Sequence, residues 1–356
     1  MECTADFFEN FSIKSEKKRI PLSGSIEITR RCNFSCVHCY LGGMRIGNGE
    51  LETSKWLHII DEITDAGCLF LLFTGGEPLL RPDFPEIYRY ARKQGMVVTV
   101  FTNGSLVDKK IIDLFSEFPP QGVEITLYGA SPGVYKKITG KAENYKKVMA
   151  GIDALVSAGI NTRLKTVLLT VNMAEFSVME KIADNLGVKF RFDAAIFPRF
   201  DGDKTPVQFR VSPKDAVRTE LLSQKRADEW KKYTIRMAGV TLSDSLYDCS
   251  AGLNTFHIDP QGILQPCIMV PHVRYNLTVG GFSKGWHDII PEVRKIRLLD
   301  DFKCRNCTDR IYCGFCPGFF RLETGDETVI SQYLCSIGRQ MGRAVSGLIA
   351  DGDNNG

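Results

Sequence analysis

The chain has almost no net charge. Its 45 lysines and arginines stand against 42 aspartates and glutamates, a formal excess of +3 over 356 residues. Nucleic-acid binders carry a basic patch or stripe, so nothing here argues for a nucleic-acid partner. Long apolar runs are missing too. The longest covers 68–73, far short of the roughly 20 residues that span a bilayer. Residues 1–20 alternate charges with phenylalanines and lack the apolar stretch of a secretory signal. No internal repeat recurs at a fixed period. These absences predict a chain that stays in a reducing cytoplasm, with no membrane partner. Composition is otherwise globular, 44% hydrophobic and 24% charged, and the length allows about two domains.

What the chain does have is cysteine, and in groups. Of twelve, three lie between Cys32 and Cys39 and seven between Cys249 and Cys335; only Cys3 and Cys68 stand apart. In a reducing compartment, grouped cysteines point to metal ligation or catalysis rather than to disulfides.

Between 24 and 193, β-rich runs alternate with helical ones. Strands are expected at 25–29, 68–73, 96–101, 123–127, 162–169 and 188–193, and helices at 53–66, 83–94, 108–118, 143–158 and 174–186. Thr53 suits an N-cap, and Gly67, Gly95, Gly159 and Gly187 stand where a helix ends on glycine. Such alternation predicts a parallel sheet built by right-handed crossovers. The run 68–73 reads as a strand covered on both faces. Other strands carry polar pairs two residues apart, hence on one face: Glu27 and Thr29, Glu124 and Thr126, Arg163 and Lys165, Arg191 and Asp193. A curved sheet around a polar cavity would house them; edge strands with charges in solvent are the plainer alternative. Residues 196–213 read as a linker and 213–233 as a polar helix. From 243 the sequence is loop-rich and is expected to depend on metal to fold. The segments are thus 1–24, a barrel over 25–195, linker and helix over 196–242, a cysteine region over 243–340 and a tail over 341–356, with 351–356 disordered.

The first cysteine group reads RRCNFSCVHCY over 30–40, directly after the first strand. That puts it at the C-terminal mouth of the sheet, where α/β folds place their chemistry. Three closely spaced thiolates suit an iron–sulfur cluster. A cubane has four irons, so three protein ligands leave one open to a reactant, as in catalytic zinc sites. A structural zinc would need a fourth ligand. His38 is a candidate, but next to Cys39 it cannot easily share one tetrahedron with it. The second strand runs into LFTGGEPL over 72–79. Its glycines let the backbone approach a ligand, and Glu77 supplies a carboxylate at the same mouth.

CNFSCVHC followed by TGGEP resembles the signature of the radical S-adenosylmethionine (SAM) superfamily, CxxxCxΦC with an aromatic Φ, here His38. The resemblance covers about 25–193 and implies a partial (β/α)6 barrel. It implies that Cys32, Cys36 and Cys39 hold a [4Fe–4S] cluster whose open iron is chelated by SAM. It implies further that Gly75, Gly76 and Glu77 bind the methionine amino group, and that His38 lies near the adenine. Asn103 at the third strand end and Thr126 near the ribose follow from the same likeness, and Arg163 or Lys165 would meet the SAM carboxylate. Where this chain reads ITLYGA, many relatives have a serine–leucine–aspartate–glycine run. Tyr128 replaces that aspartate, so a shared substrate-handling role is not implied there. The implied chemistry is one-electron cleavage of SAM to methionine and a 5′-deoxyadenosyl radical, which takes hydrogen from an unactivated carbon. A flavodoxin- or ferredoxin-type donor would feed it, near the low end of the roughly −700 to +450 mV span of protein clusters.

The second group runs Cys249, Gly262-x4-Cys267, Cys304-x2-Cys307-x5-Cys313-x2-Cys316 and Cys335. Its two CxxC pairs suggest a zinc ribbon, but ribbon pairs usually stand ~15–20 residues apart rather than five. The order of glycine and seven cysteines resembles a SPASM domain over about 249–335, which carries two auxiliary [4Fe–4S] clusters. The implied whole is an α/β partial (β/α)6 barrel with a loop-rich C-terminal iron–sulfur SPASM domain. The last pair departs from the family, with two residues between the cysteines instead of three. The family's interleaved pattern implies that Cys304, Cys307, Cys313 and Cys335 bind the outer cluster, and Cys249, Cys267 and Cys316 the inner one. Relatives with a full inner site carry another cysteine near the first; none stands between Cys249 and Cys267. A three-cysteine inner site is therefore expected, its open iron taken by a substrate thiolate or amide, by Asp248 or by water. Cys3 and Cys68 are poor ligand candidates, and Cys68 is expected to pack in the core.

Three functions compete. A peptide- or protein-modifying radical enzyme fits the SPASM resemblance best, since such relatives crosslink peptides or oxidise a cysteine or serine. Only about 24 residues precede the first strand, so leader recognition would need the barrel surface or a separate partner protein. The same chemistry could act on a small molecule in cofactor or haem biosynthesis. A non-catalytic iron–sulfur electron-transfer or zinc protein is the third, but a cluster with an open iron makes a poor electron wire. Glu124, Tyr128 and Asp193 are the lumen candidates for acid–base work, with plain barrel structure as the equal alternative.

Overall fold

The computed structural model describes residues 11, 13–42, 49–240 and 243–353; Cys3 lies outside them. The apolar periodicities resolve into β1 (Ser23–Thr29), α1 (Thr53–Asp65), β2 (Phe70–Gly75), α2 (Phe84–Lys93), β3 (Val97–Thr102), α3 (Lys109–Glu117), β4 (Gly122–Thr126), α4 (Pro132–Thr139), α5 (Glu143–Ser157), β5 (Thr162–Val167), α6 (Phe176–Asn185) and β6 (Lys189–Asp193). The six strands are parallel and lie in the order β6-β5-β4-β3-β2-β1. Ile26, Phe73, Val98, Val100, Ile125 and Leu164 are fully buried. They pack under Trp56, Ile60, Tyr88, Leu155 and Met179 from the helices, in one core.

Several local readings change. The N-cap of α1 is Glu52; Thr53 is the first helical residue, and its hydroxyl donates to Asp83 Oδ2 at 2.5 Å. The apolar run 68–73 is not covered on both faces throughout. β2 starts at Phe70, and Leu69 and Phe70 remain 37% exposed at the strand's N-terminal end. Cys68 does pack: it is buried, and burial pushes its thiol up to about 12. The four helix-ending glycines all have positive φ. Helix α4 was not anticipated. Ser131 caps it through the Val134 amide at 3.3 Å, and Pro132 opens its first turn.

The C-terminal half differs more. The single polar helix is two, α7 (Pro213–Leu221) and α8 (Gln224–Met237). Beyond 243 the chain returns to the sheet. β7 (Thr255–Ile258) pairs parallel with β1, from Ser23↔Thr255 to Ile26↔Ile258. β8 (Ile263–Gln265) and β9 (Tyr275–Asn276) follow antiparallel. Position 243 is therefore not the edge of the sheet: Phe256, Ile258, Leu264, Phe282 and Trp286 share the barrel's core. Then come α9 (Leu277–Lys284), α10 (Glu292–Lys295), α11 (Pro317–Thr324) and α12 (Gln332–Asp353). The tail expected from 341 is the second half of α12, because Met341 and Val345 bury against Val217 and Tyr312. Residues 354–356 lie outside the described ones. Among the described residues, no helix is long and apolar enough to cross a membrane.

Candidate active site and cysteine groups

The loop carrying Cys32, Cys36 and Cys39 is held on two sides by backbone. On one side, β2 continues its pairing past its last residue: Gly76 N donates to Thr29 O at 2.8 Å and Glu77 N to Arg31 O at 2.9 Å. A Cβ on Gly76 would stand 2.3 Å from Arg31 O, and one on Gly75 2.2 Å from Thr29 O. The glycine pair is thus required first by the close approach of the cysteine loop itself. On the other side, Ser35 N and Val37 N donate to the last carbonyls of α4, Thr139 O at 3.3 Å and Ile138 O at 3.0 Å. These carbonyls have no partner inside their own helix, so the loop caps the helix and the helix fixes the loop.

Tyr128 lines the cavity together with the three thiols. Burial, and then the charges of Cys36, Cys32 and Cys39, hold its hydroxyl far above its ordinary pKa. Its ring lies 5.3 Å from His38 and 6.5 Å from Phe34. Cys32 Sγ accepts the Phe34 amide at 3.4 Å, and Asn103 Nδ2 stands 4.0 Å from it. Amide hydrogens aimed at a sulfur favour its thiolate.

Glu77 does not face the ligand space. It is fully buried, and its carboxylate accepts from Thr102 Oγ1 at 2.7 Å, Asn103 N at 2.7 Å and Leu79 N at 3.1 Å. Burial still outweighs these bonds and raises its pKa to about 7. Its work is to tie the end of β2 to the end of β3, which places Asn103 against the cysteine loop.

A cavity of about 490 Å³ opens above the strand ends. Cys32, Cys36, Cys39, His38, Gly75, Gly76, Asn103, Thr126, Tyr128, Lys165 and Asp193 line it; Arg163, Glu124 and Glu77 do not. Register explains the polar wall: Thr126 sits beside Lys165, and Lys165 beside Arg191. Glu124 is 2.6 Å from Arg191, 3.8 Å from Lys165 and 4.0 Å from Arg163. Glu124 is thus bound up in ion pairs with three cations, and Asp193 adds a second carboxylate beside Lys165 and Arg191 on this wall. Lys165 Nζ lies 3.0 Å from the centre of the Phe101 ring, and burial lowers its pKa to about 7. Asp193 accepts the Ala195 amide at 2.7 Å, and burial raises its pKa.

The opposite wall was not foreseen. β7 places His257 beside β1, where it lines the cavity with Ser25 and Tyr40. Its Nδ1 is 2.8 Å from Ser25 Oγ, and its Nε2 3.9 Å from Glu27. Glu27 accepts from Tyr40 at 3.0 Å and faces Arg30 at 3.8 Å. Burial pushes Glu27 up to about 7 and His257 down to about 3. The polar residues of β1 pointed here; the imidazole carried no signal of its own.

The later cysteines fall into two sets. Cys304, Cys307, Cys313 and Cys335 form one. Burial raises Cys304 to about 11 and Cys313 to about 12, and neighbouring thiols of the set add to both shifts. Cys249, Cys267 and Cys316 form the other, with Cys267 raised to about 11, chiefly by burial and further by its two partners. Gly314, at φ +58°, makes the tight turn that sends Cys313 and Cys316 to different sets. Cys316 caps α11, accepting Phe319 N at 3.4 Å, so a helix N-terminus faces its sulfur. Asp248 is engaged by Arg310 at 3.3 Å. Among the described residues, no three cysteine, histidine or acidic groups stand close enough to share a single metal ion.

Residues 26–182 match the Radical SAM superfamily. That span of the chain carries the Radical SAM domain. The AdoMet-dependent heme synthase of Methanosarcina barkeri is 26% identical over 84% of this chain and 92% of its own length. The mycofactocin maturase MftC of Mycobacterium ulcerans is 27% identical over 78% of this chain and 77% of its own. Among solved structures, Streptococcus suis SuiB bound to its precursor peptide SuiA aligns with a TM-score of 0.72 at 16% identity, covering 91% of this chain and 78% of that one. The chain anSMEcpe with bound AdoMet aligns with a TM-score of 0.69 at 17% identity, covering 94% and 96%. At such identities the likeness shows the fold, an α/β partial barrel rich in parallel strands. The superfamily implies a [4Fe–4S] cluster and SAM. The first cysteine loop fits both, with three thiols on one cavity wall and amide donors at Cys32.

Proposed function

We propose that this chain binds SAM on a [4Fe–4S] cluster held by Cys32, Cys36 and Cys39, and uses it to oxidise or crosslink a peptide or protein. When bound, that pair supplies the hard step, one-electron cleavage of the sulfonium to methionine and a 5′-deoxyadenosyl radical that abstracts hydrogen. The protein's residues bind and orient. Gly75 and Gly76 leave backbone open to the methionine amino group, Lys165 stands ready for its carboxylate, and Asn103, Thr126 and His38 border the nucleoside. Cys249, Cys267 and Cys316 hold one auxiliary cluster, and Cys304, Cys307, Cys313 and Cys335 another. The cavity runs from the first cysteine loop to Ile268 and Met269, the two residues after Cys267. A substrate between them can give hydrogen at one end and an electron at the other. A flavodoxin- or ferredoxin-type donor and a separate leader-recognition protein complete the reading.

The observation that carries the peptide substrate is the cavity's size. About 490 Å³ is the size of a pocket for one drug-sized ligand, and a peptide side chain beside the cosubstrate is in keeping with it. A small-molecule reading also has support: the heme synthase relative, and the cavity cations Lys165 and Arg191, which would suit substrate carboxylates. The test is formation of 5′-deoxyadenosine by reduced, reconstituted enzyme. Stimulation by short peptides encoded beside the gene supports the proposal. Stimulation by an iron tetrapyrrole, with none from peptides, overturns it in favour of the second reading.

A further inference from the structure

One end of the cavity is built from carbon and sulfur. Tyr40, Phe197, Ile268 and Met269 line it there, and Phe197 and Met269 both pack against the cluster of Phe319, Phe320 and Leu334. The Tyr40 ring stacks on Phe197, with centroids 5.8 Å apart and planes at 29°. Phe200 stacks on Phe197 at 6.0 Å, and Phe319 meets it edge-on at 6.0 Å. The Phe200 amide donates to the Tyr40 carbonyl at 3.1 Å, which ties the rings together. Met269 is fixed by its backbone. A Cβ on Gly318 would stand 2.7 Å from Met269 O, so α11 packs directly on that turn. The Met269 side chain keeps three rotatable bonds with which to fit what enters.

Polar atoms nearby are already engaged. Of the four side chains only Tyr40 carries one, and its hydroxyl donates to buried Glu27 at 3.0 Å. Ser25 and His257 satisfy each other at 2.8 Å. The Asp193 carboxylate accepts the Ala195 amide at 2.7 Å. A polar side chain entering this end gives up water and meets carbon where it needs a partner. An apolar one sheds water at a gain.

We propose that the Tyr40–Phe197–Met269 end of the cavity is a subsite for an apolar side chain of the peptide substrate, of the leucine or phenylalanine kind. The inference rests on the peptide reading above and adds the class of sequence that reading requires. The occupant follows from continuity as well as chemistry. This end is one space with the cavity that the first cysteine loop faces. Tyr40 follows Cys39 directly, and Met269 stands two residues after Cys267. A peptide that lies between the two cysteine regions therefore places a side chain against these rings.

The test is calorimetric titration of the full, reconstituted chain, saturated with SAM and without reductant. The probes are an acetylated pentapeptide amide with leucine between glycines, and the same peptide with asparagine, nearly the shape of leucine, in its place. The leucine peptide is expected to bind roughly tenfold more tightly, which is about 1.4 kcal/mol. It should also show the more negative heat-capacity change of apolar burial. Met269→Gln keeps the length of the side chain and adds an amide. At wild-type iron content it is expected to cut the preference to about threefold or less. Equal affinities for the two peptides in the wild-type chain, or a preference that Met269→Gln leaves unchanged, overturn the proposal. Should Met269→Gln lose iron, the wild-type chain decides with alanine, leucine and phenylalanine at the central position. Affinities that do not rise with apolar area overturn it equally. No turnover is needed, so the subsite is judged apart from the peptide reading, which fails instead if no peptide stimulates 5′-deoxyadenosine formation.

Discussion

Replacing Gly76 with alanine should empty the first cysteine group without touching a cysteine. The new Cβ would stand 2.3 Å from Arg31 O, 2.6 Å from Arg30 O and 2.7 Å from Arg31 C. All three are backbone atoms, so no side chain can swing aside. Relief requires residues 30 and 31 to move, and Cys32 follows directly. The movement stretches two pairing bonds, Gly76 N to Thr29 O at 2.8 Å and Glu77 N to Arg31 O at 2.9 Å. Overpacking costs about 1–3 kcal/mol, and each weakened bond about 0.5–1.5 kcal/mol, for a total of roughly 2–6 kcal/mol. A domain of ordinary stability, about 5–15 kcal/mol, survives that and stays folded with its cysteine loop displaced. The control is Gly159→Ala. Gly159 has φ +71° but nothing within 4 Å of an added Cβ, so its cost of about 1–2 kcal/mol is purely conformational. After anaerobic reconstitution, Gly76→Ala is expected to lack about one cluster's worth of iron and to show no spectral response to SAM. Gly159→Ala is expected to keep both while its melting temperature falls. A Gly76→Ala protein with full iron and a normal SAM response would falsify the reasoning.

Cys316→Ala should cost the iron of the Cys249–Cys267–Cys316 set and spare the four-cysteine set; unchanged iron content would break the assignment. Lys165→Met should raise the Kd for SAM at least tenfold, since a charge-assisted bond is worth about 1.5–3 kcal/mol, and an unaltered Kd by equilibrium dialysis would remove Lys165 from the cosubstrate site. Glu27 makes stability depend on pH. Its folded pKa, about 7, lies above the ordinary 4.5, so its contribution is fully present below about pH 4.5 and is lost as pH rises through 7. The difference between the two values corresponds to roughly 3 kcal/mol. Urea unfolding of Glu27→Gln should therefore show the variant gaining about that much on wild type between pH 5 and 9, and a flat difference would refute the shift. His257, held neutral by burial with its pKa lowered to about 3, acts in the opposite sense. Its contribution falls away as pH drops below about 6.5, and His257→Gln should flatten that acid limb.

Sequence patterns carry the barrel because its contacts are short-range in the chain. Each strand, helix and terminal glycine from β1 to β6 is punctuated locally, and the cysteine loop and glycine pair sit at consecutive strand ends. What stayed hidden depends on distant partners. β7 is four residues long, too short for a period, and its partner β1 begins 232 positions earlier, so neither the strand nor His257 announces itself. Helix α12 was obscured by Gly338, Gly342 and Gly347, which lower helix propensity. Two of those glycines are contacts. A Cβ on Gly338 would meet Cys313 Cβ at 2.4 Å, and one on Gly342 would meet Asp309 Oδ1 at 2.6 Å. Helix α4 was legible in principle, since Ser131–Pro132 is a strong start signal. Glu77 was misplaced for a different reason. A motif shows that a carboxylate is required, but not which way it faces, and here it turns inward to Thr102 and Asn103.

The return of the chain to the sheet at β7 also bears on how the two halves of the chemistry could be coupled. One stretch of fifteen residues, 255–269, supplies a strand paired to β1, the imidazole beside Glu27, Cys267, and the cavity-lining Ile268 and Met269. β1 ends in the loop that bears Cys32. The wall shared by the two cysteine regions is therefore a pair of hydrogen-bonded strands inside one continuous core, not a contact between separable domains. Relative sliding would break the β1–β7 ladder and expose Phe256, Ile258 and Trp286, each at most 3% exposed now. At about 1.5–3 kcal/mol for each large apolar side chain, uncovering these three costs roughly 5–9 kcal/mol, as much as whole domains are worth. A substrate in the cavity thus meets the first cysteine loop and the Cys267 edge at a spacing fixed by the sheet. Any motion that admits it must come from the loops above the strand ends.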